Sequence, residues 1–197
     1  MQNRMAFSNV ASMSLPPLLP GRRLFLRKSA QLVVAGAGGM SARAMASSPE
    51  TRTLALDHTH TGERLSLVYA VGERYLADAL NTLNHFLRDH YSGAVGVIDP
   101  QLFDLLHRLT AELGARQSFQ VISGYRSPAT NETLRTTRGG GVASHSLHMD
   151  GKAIDIRLPG VPLAQLRDAA LSLRAGGVGY YPQEQFVHVD IGRVRHW

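Results

Sequence analysis

A chain of 197 residues has room for one domain and an appendage. Its formal charge of +6 is unevenly placed: six basic residues (Arg4, Arg22, Arg23, Arg27, Lys28, Arg43) and no acidic one precede Ser47, and from Ser47 onward the two signs balance. A neutral body excludes the basic footprint of a nucleic-acid binder, and the absence of cysteine excludes thiolate metal sites and a cysteine nucleophile.

The basic leader reads as a targeting segment. Gly21-Arg22-Arg23-Leu24-Phe25-Leu26-Arg27-Lys28 resembles the twin-arginine export consensus, an arginine pair followed by apolar residues and a basic one. Behind it, Ser29 to Met40 is mildly apolar and interrupted by glycine, short of the roughly 20 apolar residues a membrane span needs. Ala42-Arg43-Ala44 and Ala44-Met45-Ala46 both offer a small-x-small cleavage site. Residues 1–46 are therefore read as an export signal and 47–197 as the folded domain. The expectation is a periplasmic protein with no stable membrane anchor.

Thr53 to Asp57 and Arg64 to Val71 alternate apolar and polar residues around His58-Thr59-His60-Thr61-Gly62-Glu63, the pattern of a β-hairpin. His58 and His60 are read as part of a solvated turn. From Arg74 to Tyr91 the residues Leu76, Ala79, Leu80, Leu83, Phe86 and Leu87 follow helical spacing. Asp99-Pro100 opens a second helix as N-cap and first helical residue, with Leu102, Leu105, Leu106, Leu109 and Leu113 inward and Gly114 at its end. His85, His90 and His107 ride on these helices as structural histidines. Phe119 to Ile122 is a strand, Ser127-Pro128 starts a short helix through Leu134, and Arg138-Gly139-Gly140-Gly141 is a loop at the rim of a cleft. Lys152 to Leu158 alternates as a strand, Pro162 to Leu173 is a helix, and Gly176 to Tyr181 and Gln185 to Ile191 are strands. Helices early and strands late predict an α+β fold: a small, mainly antiparallel sheet with flanking helices.

The chemistry concentrates in three residues. His148 precedes the strand that holds Asp155, with Gly151 allowing a sharp entry, and His188 lies on the final strand. Two imidazoles and one carboxylate are the donor set of a catalytic zinc, which keeps its fourth position for water. Phe186 and Asp190 share the strand face of His188 by the period of two.

His148-x-x-Gly151-x-Ala153-x-Asp155 resembles the motif of the zinc D-Ala-D-Ala peptidases and their hedgehog-fold relatives. A longer match narrows the resemblance to the murein endopeptidase K family: Thr59 to Glu63, Ser123 to Asn131, Ser146 to Ile156, Gly177 to Pro182 and Phe186 to Asp190, in that order, across about Leu54 to Trp197. The resemblance implies a hedgehog/D-Ala-D-Ala-peptidase-like fold and a Zn2+ ion held by His148, Asp155 and His188. It also implies that Arg126, in Ser123-Gly124-Tyr125-Arg126, stabilises an oxyanion or grips a peptide carboxylate. The wider superfamily carries a general-base carboxylate three residues before the last ligand, where this chain has Gln185. Asp190 is the expected base, with Glu184 and His145 as further candidates.

The function implied is a periplasmic zinc endopeptidase acting on the peptide crosslinks of peptidoglycan. Two alternatives stand beside it: a D-alanyl-D-alanine carboxypeptidase, and a non-catalytic zinc-containing module that binds wall peptides.

Overall fold

The computed structural model describes residues 49–137 and 142–197. The leader and the glycine loop lie outside the described residues. None of the described helices is long and apolar enough to cross a membrane.

The described residues form eight strands and four helices. The hairpin expected at the start is β1 (Thr51–His58) and β2 (Arg64–Val71), paired antiparallel with Leu56 opposite Leu65. Gly72, at φ 57°, turns β2 into a short third strand, β3 (Arg74–Tyr75). Next come α1 (Ala77–Phe86), α2 (Pro100–Glu112), β4 (Phe119–Ser123) and α3 (Pro128–Thr137). The chain ends with β5 (Ala153–Arg157), α4 (Leu163–Leu173), β6 (Gly177–Tyr181), β7 (Phe186–Asp190) and β8 (Arg195–His196). The strands form one sheet in the order β3-β2-β1-β4-β5-β7-β6-β8. Only the β1–β4 and β6–β8 pairs are parallel. The α+β architecture with a mainly antiparallel sheet is thus observed.

The helix expected over Arg74 to Tyr91 is shorter than its apolar pattern. Its first residues are captured by the sheet: Arg74 and Tyr75 pair with Val71 and Ala70, and the Tyr75 hydroxyl donates to the Asp104 carboxylate. Its last residues unwind because the buried Asp89 carboxylate accepts the backbone N–H groups of Tyr91 (3.0 Å) and Ser127 (2.9 Å). The other helix signals hold. Asp99 accepts from the Gln101 N–H at 3.0 Å with Pro100 at the first helical position, and the Ser127 hydroxyl accepts from Thr130 N–H at 3.2 Å.

The register of β5 on β7 places the site. Ile154 faces Val189 and Ile156 faces Val187, and all four are buried in one cluster with Leu102, Leu106 and Leu166 from α2 and α4. Each such aliphatic side chain stabilises by roughly 1.5–3 kcal/mol. Slipping the pair by one residue would expose all four. Their alternates, Asp155 opposite His188 and Ala153 opposite Asp190, are therefore forced together on the other face.

The early histidines depart from the sequence reading. His58 is buried at the end of β1, its Nδ1 accepting the backbone N–H groups of His60 (3.3 Å) and Thr61 (3.4 Å). His90 lies beyond the end of α1, stacked on His60 at 4.1 Å. The Nε2 atoms of His58 and His90 are buried without a hydrogen-bond partner. Burial, followed by the neighbouring histidine rings, lowers both to about 4 from the ordinary 6.5. Between those two values the unfolded chain binds more protons than the folded one, so acidification destabilises the fold. Stability is expected to fall as pH drops below about 6.5, with the loss complete below about 4. Thermal melts across that window should show a steep pH slope that His58→Asn reduces. An identical slope in the variant would refute the assignment.

Candidate metal centre

His148 sits in the turn between α3 and β5, and the backbone pins it from both sides. Its carbonyl accepts from Arg126 N–H at 3.2 Å and Gly151 N–H at 3.3 Å. Gly151 itself, at φ 64°, lies against the chain that leads into α2, where a Cβ would meet the Val97 carbonyl oxygen at 2.0 Å. Gly151 also accepts from Asp99 N–H at 3.0 Å, so the turn is tied to the start of α2. Any side chain at Gly151 would push His148 out of place.

The three expected ligands come together. His188 Nδ1 lies 2.8 Å from Asp155 Oδ1, and His148 Nε2 lies 3.2 Å from His188 Nδ1 and 3.3 Å from Asp155 Oδ1. All three residues are buried. Among the described residues this is the one group of three or more such side chains able to hold an ion.

The hydrogen-bond network assigns the ring protons. His148 Nδ1–H donates to the Gly124 carbonyl at 2.7 Å, and His188 Nε2–H donates to Asp190 Oδ2 at 3.1 Å. Both inward nitrogens are then lone pairs, pointing at each other and at a carboxylate. That arrangement is repulsive unless a cation sits among them. A tetrahedral ion with bonds of about 2.0–2.1 Å holds its ligand atoms roughly 3.3 Å apart, close to the spacings found here. The donor set fits a metal.

Electrostatics says the same of the ion-free cluster. Burial opposes charge on His188, but its hydrogen bonds to Asp155 and Asp190 outweigh that and push it up to about 9. Burial likewise opposes charge on Asp155, and the two histidines overcome it, holding the carboxyl well below its usual range. In the absence of a metal, a proton fills the cation's role.

Asp190 does not face the cleft. It is fully buried behind His188, with Oδ1 accepting from Gly177 N–H (2.9 Å), Gly192 N–H (2.8 Å) and Arg195 Nη1 (3.1 Å). Its Oδ2 accepts from Arg195 Nη2 (2.8 Å) and His188 Nε2. The sequence expectation put this carboxylate beside the reacting water; the structure puts it on the far side of the ring, with both oxygens occupied. Gln185 and Glu184 are exposed in the β6–β7 turn, Gln185 at φ 60°, and neither lines the cleft.

The cleft over the ligands has a volume of about 240 Å³. Arg126, His145, Tyr181, Phe186, Arg195 and Trp197 border it. Arg126 Nη1 donates to Asn131 Oδ1 at 3.3 Å, and Asn131 in turn donates to the Ala143 carbonyl at 3.1 Å. Its partner is neutral, so the guanidinium charge is left to face the cleft. His85 and His107 stay away from the cleft, as read from the helices. Arg195 and Trp197 escaped the sequence reading, because nothing in Arg193-Val194-Arg195-His196-Trp197 marks a site.

Residues 46–197 match the Peptidase_M15_2 family model, described as Peptidoglycan L,D-endopeptidase MepK. The chain belongs to the Peptidase_M15_2 family. It is 49% identical over 151 residues to the Peptidoglycan L,D-endopeptidase MepK of Escherichia coli strain K12, covering 77% of this chain and 82% of that protein. It is 43% identical over 158 residues to the Probable peptidoglycan L,D-endopeptidase MepK of Haemophilus influenzae, covering 80% and 84%. The resemblance read from the motifs is thereby shown. For this Peptidase_M15_2 member, the converging donors occupy the place where the sequence resemblance put the metal.

Proposed function

We propose that the chain is a zinc-dependent murein endopeptidase that hydrolyses peptide crosslinks of peptidoglycan at bonds of L,D type. The observation that carries this is the convergence of two imidazole lone pairs and one carboxylate in a cleft bordered by Arg126, which makes no ion pair among the described residues. The relatives' names supply the substrate and bond class. A zinc ion bound there would polarise the scissile carbonyl and lower the pKa of a water to about 7.

The chain's own residues do the rest. His148, Asp155 and His188 would hold the ion, and Gly124 and Asp190 fix the two rings with their lone pairs inward. Arg126 is aimed at the negative charge that grows on the carbonyl oxygen as the amide is attacked. Asp190 orients His188. His145, the remaining imidazole on the cleft wall, takes a proton from the attacking water and delivers it to the leaving amide nitrogen. The twin-arginine leader directs the protein to the periplasm.

The test is incubation of the purified protein with intact peptidoglycan, with and without a chelator, the fragments being identified by mass spectrometry. The expected result is loss of crosslinked dimers, abolished by chelation and restored by zinc. Release of D-alanine alone would identify a carboxypeptidase, and stoichiometric zinc with no turnover a binding module. A His145→Ala variant with full zinc and full rate would remove the proton role from that residue. Recovery of the mature protein from the cytoplasm would defeat the export assignment.

A further inference from the structure

Arg195 on β8 and Trp197 just after it carry two side chains that meet beside His188. The Arg195 guanidinium forms a fork on Asp190, Nη1 to Oδ1 at 3.1 Å and Nη2 to Oδ2 at 2.8 Å, and Nη1 also donates to the Arg193 carbonyl at 3.0 Å. The guanidinium lies 4.9 Å from the centre of the Trp197 ring. Trp197 in turn packs against His188, with ring centres 5.3 Å apart. It is fastened to the sheet at three points. Its N–H donates to the Val178 carbonyl (3.2 Å), its carbonyl accepts from Tyr180 N–H (3.0 Å), and Nε1–H donates to the Tyr181 hydroxyl (2.7 Å).

The neighbouring strand leaves space for both. A Cβ at Gly177 would fall 2.3 Å from Arg195 Nη1, and one at Gly179 would fall 2.7 Å from the Trp197 ring. These two positions of β6 are bare where the arginine and the indole cross. The space is filled by groups that reach His188, one through Asp190 and the other directly.

We propose that Arg195 and Trp197 form a positioning strap for His188, Arg195 locking Asp190 in the rotamer that aims His188 Nδ1 at the ion and Trp197 confining the ring. The inference rests on the metal reading of the site. Asp190 has no solvent to turn to, and Arg195 supplies two of the five donors on its carboxylate and the cation paired with it. Losing that partner strands a buried carboxylate, and the rotamer that held the ring is released. Outer partners of ligating histidines typically contribute 10–100-fold to metal affinity or activity. Lysine is an incomplete substitute, since a point charge does not reproduce the fork.

The experiment measures zinc affinity of the full chain by competition with a chromophoric chelator, together with the visible spectrum of the cobalt-substituted protein and kcat and KM on crosslinked muropeptides. Arg195→Gln is expected to weaken zinc binding by roughly 10–100-fold, to change the cobalt spectrum, and to lower kcat with little change in KM. Arg195→Lys should recover part of the loss. Trp197→Ala should shift affinity in the same direction by less, since it removes packing and spares the charge pair. Gly177→Ala, whose Cβ would fall 2.3 Å from Arg195 Nη1 and 2.4 Å from Asp190 Oδ2, breaks the same fork by crowding both of its members with Arg195 still present, which serves if Arg195→Gln fails to fold. Wild-type zinc affinity and an unchanged cobalt spectrum in folded variants would overturn the strap. Absence of zinc binding by the wild type would instead overturn the metal reading, and the strap with it.

Discussion

Asp155→Asn is expected to strip the metal from the protein while leaving its fold in place. The side chain keeps its shape, so the β5–β7 register and the apolar cluster behind it are undisturbed. What disappears is the one negative charge among the three ligands. In a buried site the two imidazoles would contribute lone pairs but no charge, and the aspartate alone would offset a bound dication. Removing one partner of a buried, hydrogen-bonded charge pair costs about 3–5 kcal/mol, so zinc affinity should fall by roughly 10²–10⁴. Hydrolysis of crosslinks should fall at least as far at limiting zinc. The amide weakens binding further, because its NH₂ can donate to the two imidazole lone pairs that lie 2.8 and 3.3 Å from Asp155 Oδ1, which stabilises the metal-free site. Chelator competition reads the affinity, and circular dichroism reads the fold. A folded variant that keeps zinc within tenfold of the wild type would remove Asp155 from the ligand set.

The same charge sets a pH dependence for metal uptake. His188 is pushed up to about 9 when no metal is present, so a proton and the ion compete for Nδ1. Zinc affinity is therefore expected to rise with pH up to that region. For the metal-free protein the sign is opposite. A raised folded value contributes stability that is complete below about 6.5 and is lost as pH rises through about 9.

How much of this was legible in the sequence follows from what each residue depends on. His148, Asp155 and His188 could be read because their pattern is local: a glycine turn, a strand of alternating residues and a second strand of the same kind. Period-two alternation settles which face Asp155 and His188 occupy, and the aliphatic alternates Ile154, Ile156, Val187 and Val189 then force the pairing. Arg126 was legible through its segment, since β4 runs beside β5 and delivers it to the cleft. Asp190 was read correctly as to face and differently as to role. Alternation places it beside His188, but only the long-range approach of Arg195 and the Gly177 and Gly192 amides decides which side of the ring it serves. Arg195 and Trp197 depend wholly on a parallel pairing of β8 with β6 that no periodicity announces in a two-residue strand. The early helix formed, but its ends fell short of the pattern for a related reason. Leu76 to Leu87 has helical spacing throughout, yet Tyr75 is captured by Asp104 from α2, and the chain after Leu87 by Asp89. Burial of His58 likewise depends on Phe86 and His90, which lie far along the chain.

Arg126→Ala is expected to leave zinc bound and to lower kcat by about 10²–10³, the loss that follows removal of one donor to a developing oxyanion. The contrast with Asp155→Asn is the point of the pair, since one variant loses the ion and the other keeps it. The arginine is held by its neighbours without being neutralised by them. Its backbone N–H donates to the His148 carbonyl at 3.2 Å, which ties the Arg126 main chain to the candidate ligand. Its side chain bonds the neutral amide of Asn131 at 3.3 Å and makes no ion pair among the described residues. A full charge kept beside a cleft without a carboxylate partner is poised for an anion that appears during the reaction. The division between kcat and KM separates the two tasks such a charge can do. Stabilising the oxyanion lowers kcat and kcat/KM together, because the interaction exists only in the transition state. Gripping a carboxylate already present in the substrate would raise KM and spare kcat. Arg126→Lys should recover part of the rate, less than a point charge alone would predict, since the planar fork is lost. A zinc-loaded Arg126→Ala enzyme with wild-type kcat and a raised KM would transfer the residue from the chemistry to substrate binding.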